Sequence, residues 1–464
     1  MSEKKFDVII IGSGPGGYVA AIRAAQLGLD VAIVEKADMG GVCLNWGCIP
    51  TKAMLRSAEI YHFMENAEAY GLSAKAGFDL SAIVKRSRDI AGKLSGGIDY
   101  LMKKNKITVL RGHASLKAGS PAPIVEVDGQ SYQADHVILA TGARPRNLDA
   151  VGLVADSKIV WNSRDAMVPE KMPKTMLVVG SGAIGMEFAS FYSAFGVEVT
   201  IVEVLDRILP QEDSEIAALA QKSFEKRGVR ILTSAQIETA KVTAKGAKVT
   251  VAQGEEKHEI AVERVILAAG IVANTEDMGL EELGVKLEKG HIATGPFGVT
   301  NVSGLYAIGD VTAPPWLAHK ASHEGVVCVE EIAGMDPHAL DKNLIPGCTY
   351  CTPQIASIGL SEDQAKREGR EVKIGRFPFM GNGKALAMGE ADGLIKTLFD
   401  SKTGELLGAH MIGAEVTELI QGFVTAMGLE TTEEELMNTV FAHPTLSEMM
   451  HESVLDAYDR VLHI

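Results

Sequence analysis

The 464-residue sequence predicts an α/β protein: two Rossmann-like dinucleotide-binding domains followed by a C-terminal α+β module. Three observations carry that prediction. A glycine box stands between two apolar runs at Gly12, with a helical pattern behind it and an acid closing the second run. The same arrangement returns at Gly180. From about residue 344 the texture changes. Stretches 355–360 and 404–412 read as strands, 414–427 and 432–437 read as helices packed on them, and there is no third glycine box. The length fits roughly three domains of about 150 residues each.

Taken in order, Phe6 to Ile11 is the short apolar run of a buried parallel strand. Gly12-Ser13-Gly14-Pro15-Gly16-Gly17 follows, then a helical pattern from Tyr18 to Leu27, then a strand from Asp30 to Glu35. Gly12 serves the tight turn, Gly14 the approach of a pyrophosphate to the backbone, and Gly17 the close packing of helix on strand. Phosphate oxygens there meet free N–H groups and the positive end of the helix dipole. Glu35 suits a ribose hydroxyl pair. In the second unit Met176–Val179 is the strand, and Gly180, Gly182 and Gly185 form the box. The helix runs from Met186 to Phe195, and the next strand from Val197 to Glu203. A carboxylate at Glu203 accepts hydrogen bonds from a ribose diol and repels a 2′-phosphate, which favours NAD over NADP. Arg207, nearby, is the residue that argues the other way.

Just after the first unit lies Gly40–Lys52, which holds Cys43 and Cys48 in a C-x4-C spacing. Such a loop can close a small, reducible disulfide, and beside a bound redox cofactor it makes a two-electron relay. Five cysteines in the chain do not make a secreted disulfide framework. No second pair of metal-like spacing stands close by, so no metal site is expected. Residues 52–104 are helical in pattern. Residues 106–140 read as strands and turns, closing on Val137–Gly142. Residues 245–269 read as strands again and lead to Gly270. Gly304 to Asp310 is a strand running into Gly-Asp, where the acid either accepts hydrogen bonds from a polyol or starts a turn. His443-Pro444-Thr445-Leu446-Ser447-Glu448 lets a carboxylate orient an imidazole, against the plainer reading of a His-Pro turn with a surface acid. Cys348 and Cys351 form a second close pair, a CxxC open to a redox or metal role but read as structural because no βαβ context surrounds it, and His451 is a rival base near Glu448.

A net charge of −15 argues against non-specific nucleic-acid binding, which needs a basic face. No window reaches the roughly 18–20 uninterrupted apolar residues of a membrane span. The chain reads as cytoplasmic, or as a mature organellar enzyme.

Together, the two dinucleotide boxes, the Cys43/Cys48 pair, the Gly-Asp strand end and the late His/Glu pair resemble the pyridine nucleotide–disulfide oxidoreductase family along nearly the whole chain. The segments Gly41–Lys52 and His443–Glu448 resemble most closely those members that reoxidise dihydrolipoamide. Trp46 departs from the commoner Val at its position. The resemblance implies an FAD-binding domain over 1–145, an NAD-binding domain over 146–270, a central domain over 271–343 and a dimerisation domain over 344–464. It implies that Gly12, Gly14, Gly17, Glu35 and Lys36 hold the ADP half of FAD, with backbone near Gly41, Ala114 and Thr141. Asp310 would bind the ribityl chain and Ala318 the flavin ring by its backbone. Lys52 would lie beside the flavin, paired with Glu187. Gly180, Gly182, Gly185, Glu203, Ile237 and Gly270 would hold NAD. Cys43 would face the substrate and Cys48 the flavin, and His443, polarised by Glu448, would act as base in the partner's site of a homodimer. The implied partners are lipoyl domains and the acyltransferase subunit of a 2-oxo-acid dehydrogenase complex. Glutathione-type members use NADP, which Glu203 disfavours, and the intact Cys, Lys, His and Glu set weighs against a non-catalytic scaffold.

Overall fold

In the computed structural model, which describes residues 5–464, both glycine boxes open their helices earlier than the apolar pattern indicates. The first unit runs β1 (Lys5–Ile11), α1 (Pro15–Gln26) and β2 (Val31–Glu35). Gly14 is the N-cap of α1 and Pro15 its first residue, a position where the missing N–H costs nothing. In the second box Gly182 caps the helix Ala183–Ala194 in the same way. The third glycine of each box therefore lies inside its helix.

The chain folds into two compact units. One comprises the residues up to Ala53 with 81–146 and 270–340. Its sheet places β1 between β2 and the strand Gln130–Leu139, all parallel, with Ile10 opposite Ile33 on one side and Ile138 on the other. Thr108–Arg111 extends the sheet beyond β2, and Leu305–Ala307 pairs in parallel with Val137–Leu139. Val8, Ile9 and Ile10 are fully buried, as a strand covered on both faces requires. The parallel order brings the ends of β1 and of Leu305–Ala307 to one edge, so Gly12 and Asp310 share it. The same unit holds three helices of interest: α2 (Gly41–Trp46), the start of α3 (Cys48–Glu65), and α4 (Leu80–Lys104).

The other unit comprises 54–80, 147–269 and 341–464. It repeats the parallel arrangement with Thr175–Val179 between Glu198–Val202 and Arg264–Leu267. Residues 235–262 add a three-stranded antiparallel sheet. The C-terminal module is a five-stranded antiparallel sheet bearing the helices Val416–Gly428 and Glu448–Asp456.

A buried charge network ties this unit together. Lys396, fully buried, donates to Asp213 at 2.9 and 3.1 Å and to Glu362 at 2.8 Å, and lies 3.0 Å from Glu215. Burial pushes the Asp213 carboxyl up, and Lys396 more than offsets this, leaving it below the ordinary carboxylate value. Its stabilisation is therefore complete above about pH 4, the unfolded value, and is lost as pH falls through the lowered folded value. Lys396→Met leaves Asp213 buried without its ammonium partner, holding only the Glu215 and Glu362 backbone N–H groups. It should destabilise this unit by about 3–5 kcal/mol, read as a lower urea midpoint.

Candidate active site

The dithiol segment is two helices meeting at a glycine, not the loop its spacing indicates. α2 ends at Trp46, and α3 begins at Cys48, with Gly47 between them. A Cβ on Gly47 would come within 3.0 Å of the Val42 carbonyl oxygen and 3.1 Å of Cys43 Cα, a tight approach that favours glycine. The segment leans on the first glycine box. Gly40 N–H donates to the Ser13 carbonyl at 3.0 Å and to Ser13 Oγ at 3.2 Å. Gly41 sits at φ +63°, where a Cβ would meet Gly14 Cα at 2.6 Å.

This placement brings Cys43 and Cys48 together. Cys43 Sγ donates to Cys48 Sγ across 2.6 Å, and both residues are half-buried, so exposure alone does not separate their roles. The hydrogen bond to Cys48 pushes the Cys43 thiol up, helped by burial, while the Lys52 ammonium on α3 pulls it down. The two sulfurs are thus in contact, with Lys52 supplying positive charge to Cys43.

The two glycine boxes are near-copies. A Cβ on Gly12 would meet the Ala140 carbonyl oxygen at 2.3 Å, and one on Gly180 the Ala268 oxygen at 2.5 Å. Gly17 and Gly185 would each strike the first glycine of their own box, at 1.9 and 2.0 Å. Gly14 and Gly182 face open space instead, which is the cradle a pyrophosphate needs beside helix N–H groups. Each closing acid is latched to the residue between the first two glycines. Glu35 Oε2 accepts from Ser13 N–H at 2.9 Å and Ser13 Oγ at 2.6 Å, and Oε1 from Ala37 N–H at 2.8 Å. Glu203 accepts from Ser181 N–H at 2.9 Å, Ser181 Oγ at 2.6 Å and Leu205 N–H at 2.9 Å. A carboxylate has about four acceptor positions, so each keeps one for a ribose hydroxyl. Ser13 and Ser181 were not singled out by sequence reasoning, although the same serine at the same place in both boxes was a visible signal.

Asp310 lies in the turn Gly309–Val311, and no side chain or backbone group among the described residues donates a hydrogen bond to it. Burial pushes its carboxyl up, against the pull of Lys320 and His291. Glu324 holds the turn by accepting from Gly309 N–H at 2.8 Å. Buried Lys320 donates to Thr312 Oγ1 at 3.2 Å and the Ala313 carbonyl at 3.0 Å, and pairs with Glu324 at 2.8 Å. A half-buried carboxylate with unused acceptor capacity fits a polyol. Ala318 is the first residue of the helix Ala318–Ile332, whose leading N–H groups have no intrahelical partner. Thr141 is fixed by reciprocal 2.9 Å hydrogen bonds with Asn274. Ala114 is a buried strand start, and Lys36 stands exposed after Glu35.

In the other unit, Ile237 is buried, but a register shift between Ile237 and Thr239 frees backbone there. Glu187 is buried and accepts from Tyr350 N–H at 3.0 Å. Gly270, at φ +96°, belongs with the first unit. Arg207 lies 3.6 Å from Asp363, which shares its charge. His443 Nδ1 is 2.8 Å from Glu448 Oε1, and Thr445 N–H donates to Glu448 Oε2 at 2.8 Å. Burial raises the Glu448 carboxyl, and the Thr445 and His443 hydrogen bonds more than offset it, so the carboxylate stays ionised. The exposed imidazole then carries its proton on Nδ1 and offers Nε2 as a base. His451 bonds the Met437 carbonyl and stacks on Phe441, a structural post. Cys348 and Cys351 are both free thiols, Cys351 fully buried.

The model of the pyridine nucleotide-disulphide oxidoreductase family matches residues 6–325, and that of its dimerisation domain matches residues 345–454. The chain is 55% identical to a dihydrolipoyl dehydrogenase of Rhizobium etli, over 99% of both chains. It is 54% identical to one of Zymomonas mobilis, again over 99% of each. Among solved structures it is similar to LpdA of Mycobacterium tuberculosis, with a TM-score of 0.90 and 26% identity over 97% of this chain and 99% of that one.

Proposed function

Because the chain belongs to the pyridine nucleotide-disulphide oxidoreductase family, we propose that it oxidises dihydrolipoamide and reduces NAD through the Cys43/Cys48 pair. The contact of the two sulfurs at 2.6 Å beside the first glycine box is the observation that carries this reading. The protein is an FAD- and NAD-dependent dihydrolipoyl dehydrogenase by its kinship. FAD would rest on Gly12, Gly14, Gly17, Glu35, Lys36, Gly41, Ala114, Thr141, Asp310 and Ala318. NAD would rest on Gly180, Gly182, Gly185, Glu203, Ile237 and Gly270. The domain roles follow: 1–145 and 271–343 for FAD, 146–270 for NAD, and 344–464 for pairing two copies.

His443 Nε2 takes a proton from one thiol of the substrate. The thiolate attacks Cys43 Sγ, the Cys43–Cys48 bond breaks, and Cys48 leaves as a thiolate. The second substrate thiol then attacks the mixed disulfide at the substrate sulfur. Cyclic lipoamide leaves, and the enzyme holds two reduced cysteines with the electron pair. Lys52 offsets the negative charge of Cys48, and Glu448 stabilises the imidazolium of His443. Bound FAD would supply the two-electron acceptor chemistry that links the two cysteines to NAD. His443 would serve the site of the other copy in a homodimer, with lipoyl domains as substrate carriers and the acyltransferase subunit of a 2-oxo-acid dehydrogenase complex as the docking partner. Work in the cytoplasm belongs to the same proposal, and no described helix is long and apolar enough to cross a membrane.

Anaerobic addition of dihydrolipoamide should turn Cys43 and Cys48 into alkylatable thiols, and subsequent NAD should be reduced. Thiols that fail to appear rule out the relay. With Glu203 latched at the ribose position and Arg207 shared with Asp363, kcat/KM for NAD should exceed that for NADP by about 100-fold or more, about 2.7 kcal/mol. Equal use of the two refutes the Glu203 argument.

A further inference from the structure

The dithiol segment is gripped from outside by α4. Arg88 of α4 places its guanidinium carbon 4.1 Å from the centroid of the Trp46 ring, at the last position of α2. Two residues earlier on α4, Arg86 Nη1 donates to the Ala53 carbonyl of α3 at 2.8 Å. One arginine thus holds the helix of Cys43 and the other the helix of Cys48, on either side of the Gly47 joint.

We propose that Arg88, through its stack on Trp46, is a positioning residue for the Cys43/Cys48 pair that favours its reduced form. The proposal rests on the reading of these cysteines as the reducible pair. Trp46 is three residues beyond Cys43 on α2, the spacing at which helical side chains share a face. A guanidinium is charged at any working pH, and stacking on an indole fixes where that charge sits. Reduction of the disulfide by a dithiol moves two electrons and two protons and leaves a sulfur able to carry negative charge. The disulfide carries none. A fixed cation on the face of α2 that carries Cys43 therefore stabilises the reduced side of the equilibrium and does little for the oxidised side. Lys52 acts on Cys43 with the same sign from within α3. The acids that share the cleft of Arg88 and Trp46 are Asp38 and Asp99, and Asp99 is already engaged by Arg111 at 3.0 Å.

The test equilibrates the FAD-loaded enzyme anaerobically, without NAD, in fixed ratios of dihydrolipoamide to lipoamide. Alkylation and mass spectrometry then count reduced Cys43 and Cys48. Arg88→Met should shift the exchange constant about three-fold toward the disulfide, a potential change of about 14 mV. Arg88→Lys, which keeps the charge on a stem that does not stack, should shift it less. Trp46→Leu, which keeps the guanidinium but no longer fixes it, should also shift it less than Arg88→Met, and the double variant should shift no further than Arg88→Met, because the charge is already gone. An unchanged constant in Arg88→Met, or additive shifts in the double variant, overturns the proposal. A wild-type pair that dihydrolipoamide does not reduce overturns the underlying reading instead.

Discussion

Cys48→Ser should reduce NAD reduction by dihydrolipoamide at least about 1,000-fold, with Cys43→Ser equally inactive. Each variant lacks the bond that the substrate thiolate must break, and serine oxygen is neither a partner nor a leaving group in thiol–disulfide exchange. Neither change should disturb the fold. Both side chains are half-buried, the replacement is smaller by little, and the Gly40 and Gly41 contacts to the first glycine box do not involve sulfur. The control is NADH oxidation by an acceptor dye that bypasses the cysteines, which should survive. Loss of dye reduction together with turnover points to a damaged cofactor site. Retained turnover with dihydrolipoamide in either variant rejects the relay.

His443→Gln should lower turnover with dihydrolipoamide by about 100- to 10,000-fold, the usual worth of a positioned general base. Glu448→Gln keeps the shape and loses the charge that fixes the Nδ1 proton, so its loss should be smaller. If His443 serves the other copy's cysteines, two dead variants can rescue each other. In a heterodimer of His443→Gln and Cys48→Ser, one of the two shared sites carries both lesions and the other carries none. Purified heterodimers should then recover about half of the wild-type activity, as the two-fold symmetry of such an interface dictates. With His443 and the cysteines acting within one chain, every site keeps a lesion and no activity returns.

Much of this was legible locally. The glycine boxes, the closing acids and the His443–Glu448 spacing are short-range patterns whose geometry is set by a few neighbouring residues. The helix starts at Pro15 and Ala183 lie ahead of the apolar pattern because the caps are glycines, which carry no side-chain capping signal, and only Pro15 in the first box marked a first helical position. The dithiol segment read as a loop because α2 spans six residues, too few to show helical periodicity. Arg88 on Trp46, Lys396 on Asp213 and Tyr350 on Glu187 are contacts between residues far apart in the chain, and no local pattern announces them. Trp46 stood out as unusual, but its partner became visible only with α4 in place.

The serine–glutamate latches make nucleotide preference part of the architecture. Glu203 is at once the residue we propose for the ribose and the fastener that closes its own turn onto Ser181. Anyone redesigning this enzyme toward a phosphorylated nucleotide by exchanging Glu203 alone would be removing a structural rivet as well as a charge. The loosened turn would then dull the response to both coenzymes. A successful conversion must bring a new fastener for Ser181 along with the cation for the phosphate.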